Sequence, residues 1–197
     1  MTRLLALSLV VTALAAADDL TATFGTQITP DRTATTQTGI YPQQSRPGPS
    51  VGIEYEHWFN SHHGVAFAVN YSNTNTQLAD FALNTWTMNR LSFDGEYKYH
   101  WNFGKISPFA KAGIGSLVTL SGEAPPPGKF PVGLDVRLEE IAGAGLSYRL
   151  SRRFRLLAEY ECRFFRNPDF SDHGWHPQRN EVSEAKFGIG YAFRGHE

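Results

Sequence analysis

The chain has 197 residues, the length of one domain. Its formal net charge of -1 gives no long-range attraction to a phosphate backbone, so nucleic acid is not an expected partner. The single cysteine, Cys162, excludes an internal disulfide and a zinc site built from several cysteines. Because Cys162 lies in the strand-like run LAEYECRFF, we interpret it as a small apolar residue.

The first 17 residues, MTRLLALSLVVTALAAA, have the pattern of a cleaved signal peptide. Arg3 gives a positive start, residues 4–14 form an apolar core too short to span a bilayer, and small residues at 15–17 precede an acidic pair. We predict a signal peptide at 1–17 and one mature domain at 18–197. No later apolar run is long enough for a membrane-spanning helix, so the exported domain is expected to be a β-barrel or a soluble protein.

Alternation of apolar and polar residues with a period of two dominates the mature chain and predicts β-strands. Eight segments show this alternation, at about 20–25, 51–59, 65–71, 91–101, 110–115, 142–148, 156–164 and 184–193. Short connections fall at about 60–64, 102–105 and 151–154, and long ones at about 30–48, 73–85, 118–133 and 166–181. Regular exchange of short turns and long loops is typical of bacterial outer-membrane barrels. The sequence therefore predicts an all-β fold, an eight-stranded antiparallel up-and-down transmembrane barrel with its short turns in the periplasm.

Aromatic residues gather near both ends of the predicted strands, where rings suit the two membrane interfaces. Those near the short turns are Trp58, Phe59, Trp101, Phe103, Phe154, Tyr191 and Phe193, and those near the long loops are Tyr71, Trp86, Phe164 and Phe165. We expect all of them to belong to girdles on the outside of the barrel.

The last predicted strand carries a specific pattern. Lys186, Gly188, Tyr191 and Phe193 fill the order polar, any, Gly, any two, aromatic, any, aromatic. This stretch resembles the C-terminal β-signal of outer-membrane proteins, although residues 194–197 follow it. The resemblance implies that the barrel-assembly machinery reads this strand.

The mature chain as a whole resembles the eight-stranded barrels grouped with the OmpA transmembrane domain and OmpX. The segments KISPFAKAGIG and GAGLSYRLSRRFRLLAEYECRF are similar to second-half hairpins of that group. The resemblance implies a bacterial outer-membrane protein in contact with lipid, with no enzymatic activity and with a structural or surface-interaction role for its outer loops. No cofactor is implied.

The face that the alternation assigns to the lumen carries twelve charged residues: Glu54, Glu56, Arg90, Asp94, Glu96, Lys98, Lys111, Glu159, Glu161, Arg163, Glu184 and Lys186. An eight-stranded barrel is just wide enough for side chains to fill it. Because an unpaired buried charge is costly, we predict that these groups pair across the lumen as a structural network. The alternative is a cluster of carboxylates that binds a ligand or handles protons.

Three functional alternatives stay open. An outer-leaflet lipid enzyme is one, but where the lipid A deacylase family has His-x-Ser-Asn this chain reads RFFRN at 163–167. A narrow pore of the OmpW type is another, and a soluble periplasmic binder is the third. The nearby SDH run at 171–173 lacks the spacing of a triad, and His173 with His176 lacks a frame for metal ligation, so no catalytic or metal residue is predicted.

Overall fold

The computed structural model describes residues 19–30, 32–36, 39–78, 85–122, 134–166 and 179–193, which form ten strands. They are β1 (Asp19–Ile28), β2 (Arg32–Thr36), β3 (Gly39–Arg46), β4 (Gly48–Trp58), β5 (His63–Leu78), β6 (Thr85–His100), β7 (Ile106–Gly122), β8 (Leu134–Arg149), β9 (Phe154–Arg166) and β10 (Arg179–Ala192). The predicted signal peptide lies outside the described residues and stays a prediction.

Eight of these strands close into a barrel. Strand β1 pairs antiparallel with both β4 and β10, and β4 to β10 pair antiparallel in chain order. The seam runs from Asp19 opposite Ala192 to Ile28 opposite Ser183. The predicted fold class, an eight-stranded antiparallel barrel, is confirmed. We call the end with the short connections the turn end and the opposite end the loop end.

The first long connection is more regular than the sequence indicated. Within the predicted loop at 30–48, β2 and β3 form a hairpin that continues β1 and β4 beyond the barrel. Gln43–Arg46 of β3 pair with Asn75–Leu78 of β5. Strands β5 and β7 also run further into the predicted loops, to Leu78 and Gly122. These stretches contain few apolar residues, so they show no alternation that would predict a strand. Backbone hydrogen bonds to the neighbouring strands nevertheless hold them in β-strands.

The two faces of the sheet differ as the alternation requires. Outward-facing side chains are apolar and exposed, among them Phe24 (60%), Ile114 (62%) and Leu138 (71%). Inward-facing side chains are mostly polar and buried. A soluble barrel has an apolar interior and a polar outer face, and this barrel has the opposite arrangement. The alternative of a soluble periplasmic binder is therefore wrong. In the described ranges, no helix is long and apolar enough to cross a membrane.

Three tight turns, at 59–62, 101–105 and 150–153, hold the turn end together. The backbone amide of His100 donates to His62 O, and that of Arg149 donates to Lys105 O, each at 2.8 Å. Gly104 takes a φ of 69°, the left-handed conformation that glycine adopts without a steric penalty. The turns therefore form a connected rim around the mouth of the barrel.

Candidate functional site: the interior of the barrel

All twelve charged residues that the sequence assigned to the lumen are buried there. The structure adds four more buried charged or titratable residues, Asp19, His100, Glu139 and Arg155. Together, the described interior holds nine carboxylates and six Lys or Arg side chains. The carboxylates are Asp19, Glu54, Glu56, Asp94, Glu96, Glu139, Glu159, Glu161 and Glu184, and the bases are Arg90, Lys98, Lys111, Arg155, Arg163 and Lys186.

The layer nearest the turn end centres on Arg155. Its Nη1 lies 2.9 Å from Asp19 Oδ2, and its Nη2 lies 2.8 Å from Glu56 Oε2. His100 Nε2 lies 2.8 Å from the other oxygen of Glu56. Trp58 Nε1 donates to Asp19 Oδ2 at 2.7 Å. Trp58 therefore lies at the mouth of the lumen, and its predicted place in the outer girdle is wrong.

The middle layer contains three lysines, each paired with carboxylates. Lys98 Nζ lies 2.5 Å from Glu54 Oε1, which joins β6 to β4. Lys111 Nζ lies 2.5 Å from Glu161 Oε2 and 3.1 Å from Glu96 Oε2. The remaining contacts connect Lys111 to Glu159 at 3.2 Å and Lys186 to Glu161, Glu159 and Glu184 at 2.8, 3.5 and 3.7 Å.

The layer nearest the loop end centres on Arg163. Its guanidinium reaches Glu161 at 2.6 Å, Asp94 at 2.8 Å and Glu139 at 2.9 Å. Glu184 lies further away, at 3.5 Å. Since these carboxylates come from β6, β8, β9 and β10, one cation connects four strands across the lumen.

Glycines leave the space that these long side chains occupy. A Cβ on Gly143 would lie 3.1 Å from Lys111 Cε and 3.0 Å from Glu161 Cβ. The glycine on β8 thus faces the region where the ion pairs of β7 and β9 are most crowded.

An apolar cluster covers the network toward the loop end. It consists of Leu117, Phe165 and Val182, all buried. Arg90 lies 5.6 Å above the Phe165 ring and donates to Gln27 Oε1 at 2.8 Å. The prediction that Phe165 belongs to an outer girdle is wrong, because its side chain points inward and contributes to this plug.

Other aromatic residues at the turn end lie on the outside of the barrel, and some of them contact one another. Phe59 and Phe103 are exposed at 62% and 69%. The Tyr191 ring contacts Phe154 and Phe193 at centroid distances of 5.4 and 5.2 Å. Lys186 and Gly188 of β10 are buried on the lumen face of the same strand.

No described residue reproduces the deacylase pattern on β9. Arg163 is ion-paired in the lumen and Phe165 is in the apolar plug. Residues 171–173 and His176 lie outside the described residues. In the part of the chain that is described, no group of three His, Cys, Asp or Glu side chains is arranged to hold a metal ion.

The closed barrel, its apolar outer face and its charged interior define a small membrane-spanning barrel of the bacterial outer membrane. Residues 3–194 match the outer membrane protein beta-barrel domain, and the chain belongs to that family. No curated protein matches it in sequence.

Solved structures show the same fold. OprG from Pseudomonas aeruginosa has a TM-score of 0.63 at 13% identity, covering 91% of this chain and 97% of that one. Neisserial surface protein A has a TM-score of 0.61 at 14% identity, covering 89% and 96%. AlkL, solved in lipid bilayers, has a TM-score of 0.59 at 13% identity, covering 90% and 91%. At such low identity, the likeness concerns the fold alone.

Proposed function

We propose that this protein is a closed, non-conducting and non-enzymatic barrel that contacts its surroundings through its loop end while its outer face contacts membrane lipid. The observation that supports this most is the continuous filling of the lumen. Ion pairs run from Arg155 at the turn end to Arg163, and the apolar plug around Phe165 follows them. A water-filled channel would require this paired interior to separate.

The extended wall at the loop end supports the surface role. Beyond the barrel, β2 pairs with β3 and β3 pairs with the end of β5, which itself pairs with the beginning of β6. Such a paired platform gives a recognition surface a rigid base, because its backbone groups are already held in ladders.

Conductance across planar lipid bilayers tests the closed interior. The wild type is expected to give no stepwise current. A variant with Asp94, Glu139, Arg163 and Phe165 all replaced by Ser is expected to stay closed as well, because the ion pairs of the middle layer and of Arg155 at the turn end still fill the lumen. Each protein's folding is checked by the change in gel mobility on boiling. Regular conductance steps from the folded wild type would contradict the proposal.

A narrow pore is the second candidate, and the excess of carboxylates over bases inside the barrel favours it. If this lumen were filled with water, its excess of negative charge would favour the passage of cations over anions. Cation-selective steps in the same wild-type recording would establish the pore in place of the closed barrel.

We also propose that the end of β10 and the residue after it carry the signal read by the assembly machinery, through Lys186, Gly188, Tyr191 and Phe193. Replacing Tyr191 and Phe193 together with Ala is expected to lower the amount of assembled protein in the outer-membrane fraction several-fold. Phe187→Ala is the matched control, since Phe187 is an exposed aromatic residue of the same strand at a position where the signal accepts any residue. An equal loss in both proteins would show a general effect of removing outer rings.

We further propose export to the outer membrane through cleavage of the signal peptide after residue 17. Strand β1 begins at Asp19, so this cleavage leaves the strand and its pairing with Ala192 complete.

A further inference from the structure

A cavity of about 720 Å³ lies at the turn end of the barrel. Trp58, His100 and Arg155 belong to its lining, and so do the exposed Lys105, Arg149 and Arg152. Lys105 lies in the second turn, Arg152 in the third and Arg149 at the end of β8, and the backbone bond from Arg149 to Lys105 holds the second and third turns together. The cavity therefore has a buried part formed by the lumen and a rim formed by two connected turns.

This cavity carries more bases than carboxylates, whereas the barrel interior as a whole carries more carboxylates than bases. Five bases line it (Lys105, Arg149, Arg152, Arg153 and Arg155), and Asp19 provides its one carboxylate. That carboxylate already receives Arg155 and Trp58. Within the described chain, Lys105, Arg149 and Arg152 form no ion pair. A concave surface with this imbalance concentrates positive potential and attracts anions.

Two buried nitrogen atoms of the lining residues lack a hydrogen-bond partner within the described structure. They are Arg155 Nε and His100 Nδ1. The two Nη atoms of Arg155 donate to Asp19, Glu56 and Thr21, whereas Nε–H has no acceptor among the described residues. Both nitrogen atoms are enclosed by the protein, so an anion in the cavity meets the exposed bases of the rim directly and these two atoms do not contact it.

We propose that this cavity binds a phosphate group, carried by a soluble periplasmic molecule or by a lipid headgroup. Phosphate matches the site because its several charged oxygens can receive the guanidiniums of Arg149 and Arg152 and the ammonium of Lys105 together. The volume lies within the range of ligand pockets and leaves room for a substituent on the phosphate. This site is separate from the loop end, where the proposed surface contacts lie.

Calorimetric titration of the full mature chain with inorganic pyrophosphate tests the site, in maltoside micelles and a buffer free of phosphate. Saturable binding of one pyrophosphate per protein is expected. Arg149→Gln is expected to weaken it about tenfold or more, the loss of one charge-assisted contact. Arg46→Gln is the matched control, because Arg46 is exposed at the loop end and the change in net charge is the same. It is expected to leave the affinity within about twofold.

Two results would overturn the proposal. One is the absence of saturable binding at low salt. The other is an equal loss of affinity in the Arg149 and Arg46 variants, which would show attraction to net charge alone. Since Arg149 is exposed on the rim, its replacement is not expected to prevent folding, and the boiling-dependent gel shift checks this.

The source of the phosphate is resolved by doping the micelles with phosphatidylglycerol or with oleate at the same negative charge. If phosphatidylglycerol weakens pyrophosphate binding more than oleate does, a lipid headgroup occupies the site. If both anions weaken it equally, the effect is that of surface charge, and the natural ligand is a soluble phosphate compound.

Discussion

Replacing Arg163 with Met is expected to lower the free energy of unfolding by about 3–5 kcal/mol. The guanidinium of Arg163 lies within 2.9 Å of carboxylates of Glu161, Asp94 and Glu139. Glu161 retains Lys111 and Lys186 after the change, whereas Glu139 has no other ion pair among the described contacts. The loss arises because carboxylates remain in a buried place without their cation.

Urea-induced unfolding in micelles, followed by the boiling-dependent gel shift, measures this loss. Arg153→Met is the matched control, because Arg153 is exposed and its side chain donates to Tyr191 Oη at 3.2 Å. It is expected to cost less than about 1 kcal/mol. Adding Asp94→Asn and Glu139→Gln to Arg163→Met is expected to recover at least half of the lost stability, since the orphaned charges are removed. A loss under about 1 kcal/mol for Arg163→Met would show that the network does not hold the barrel together.

The side of the sheet on which a residue lies was predictable because alternation in a strand admits no exception without a bulge. Glu54 and Glu56 alternate with Ile53 and Tyr55, and the structure buries the two acids while Ile53 is exposed. The same logic places Glu159, Glu161 and Arg163 of β9 on one face. The fold class followed from eight such segments and from their alternating short and long connections.

The ends of the strands were harder to predict. Asp19 and Arg155 lie on the lumen side at strand ends, one position before the apolar alternation of their segments begins. Glu139 lies on the part of β8 where the predicted strand had not yet started. Extending each alternation by one to three residues assigns all three to the lumen, but the sequence alone does not fix how far a ladder continues.

Trp58 and Phe165 show that position in the alternation outweighs residue type. Trp58 shares its parity with Glu54 and Glu56, and Phe165 shares its parity with Arg163. Both rings accordingly point inward, although aromatic residues near strand ends suggested an interface girdle. A large ring in the lumen is accommodated because it packs with other inward groups, as Phe165 does with Leu117.

Which charges meet across the lumen could not be read from the sequence. Arg163 pairs with Asp94, 69 residues away along the chain, and Lys98 pairs with Glu54, 44 residues away. Alternation gives the face of each residue but not its height along the barrel axis. That height depends on the stagger between strands, which becomes fixed only when the barrel closes.

The crowded strands β6 and β7 allow a sharp test of how closely the barrel is packed. Gly113→Ala is expected to lower the free energy of unfolding by about 1–3 kcal/mol. A Cβ on Gly113 would meet the carbonyl oxygen of Gly95 and would lie 2.9 Å from both Cα and Cγ of Glu96. Two of these three atoms belong to the backbone of the paired strand, so relief requires the ladder between β6 and β7 to shift.

Gly95→Ala is the matched control, since Gly95 lies on β6 opposite Ile114 of β7. A Cβ there would find its nearest neighbour, Ile114 O, at 3.9 Å, and the Phe67 ring at 4.0 Å. Both substitutions reduce the freedom of the unfolded chain equally, so their difference reports on space in the folded barrel. Urea midpoints should therefore fall for Gly113→Ala and stay or rise for Gly95→Ala. Equal midpoints would mean that the lumen around Glu96 accommodates an added methyl group without a clash. The interior would then be less tightly packed than a closed barrel requires.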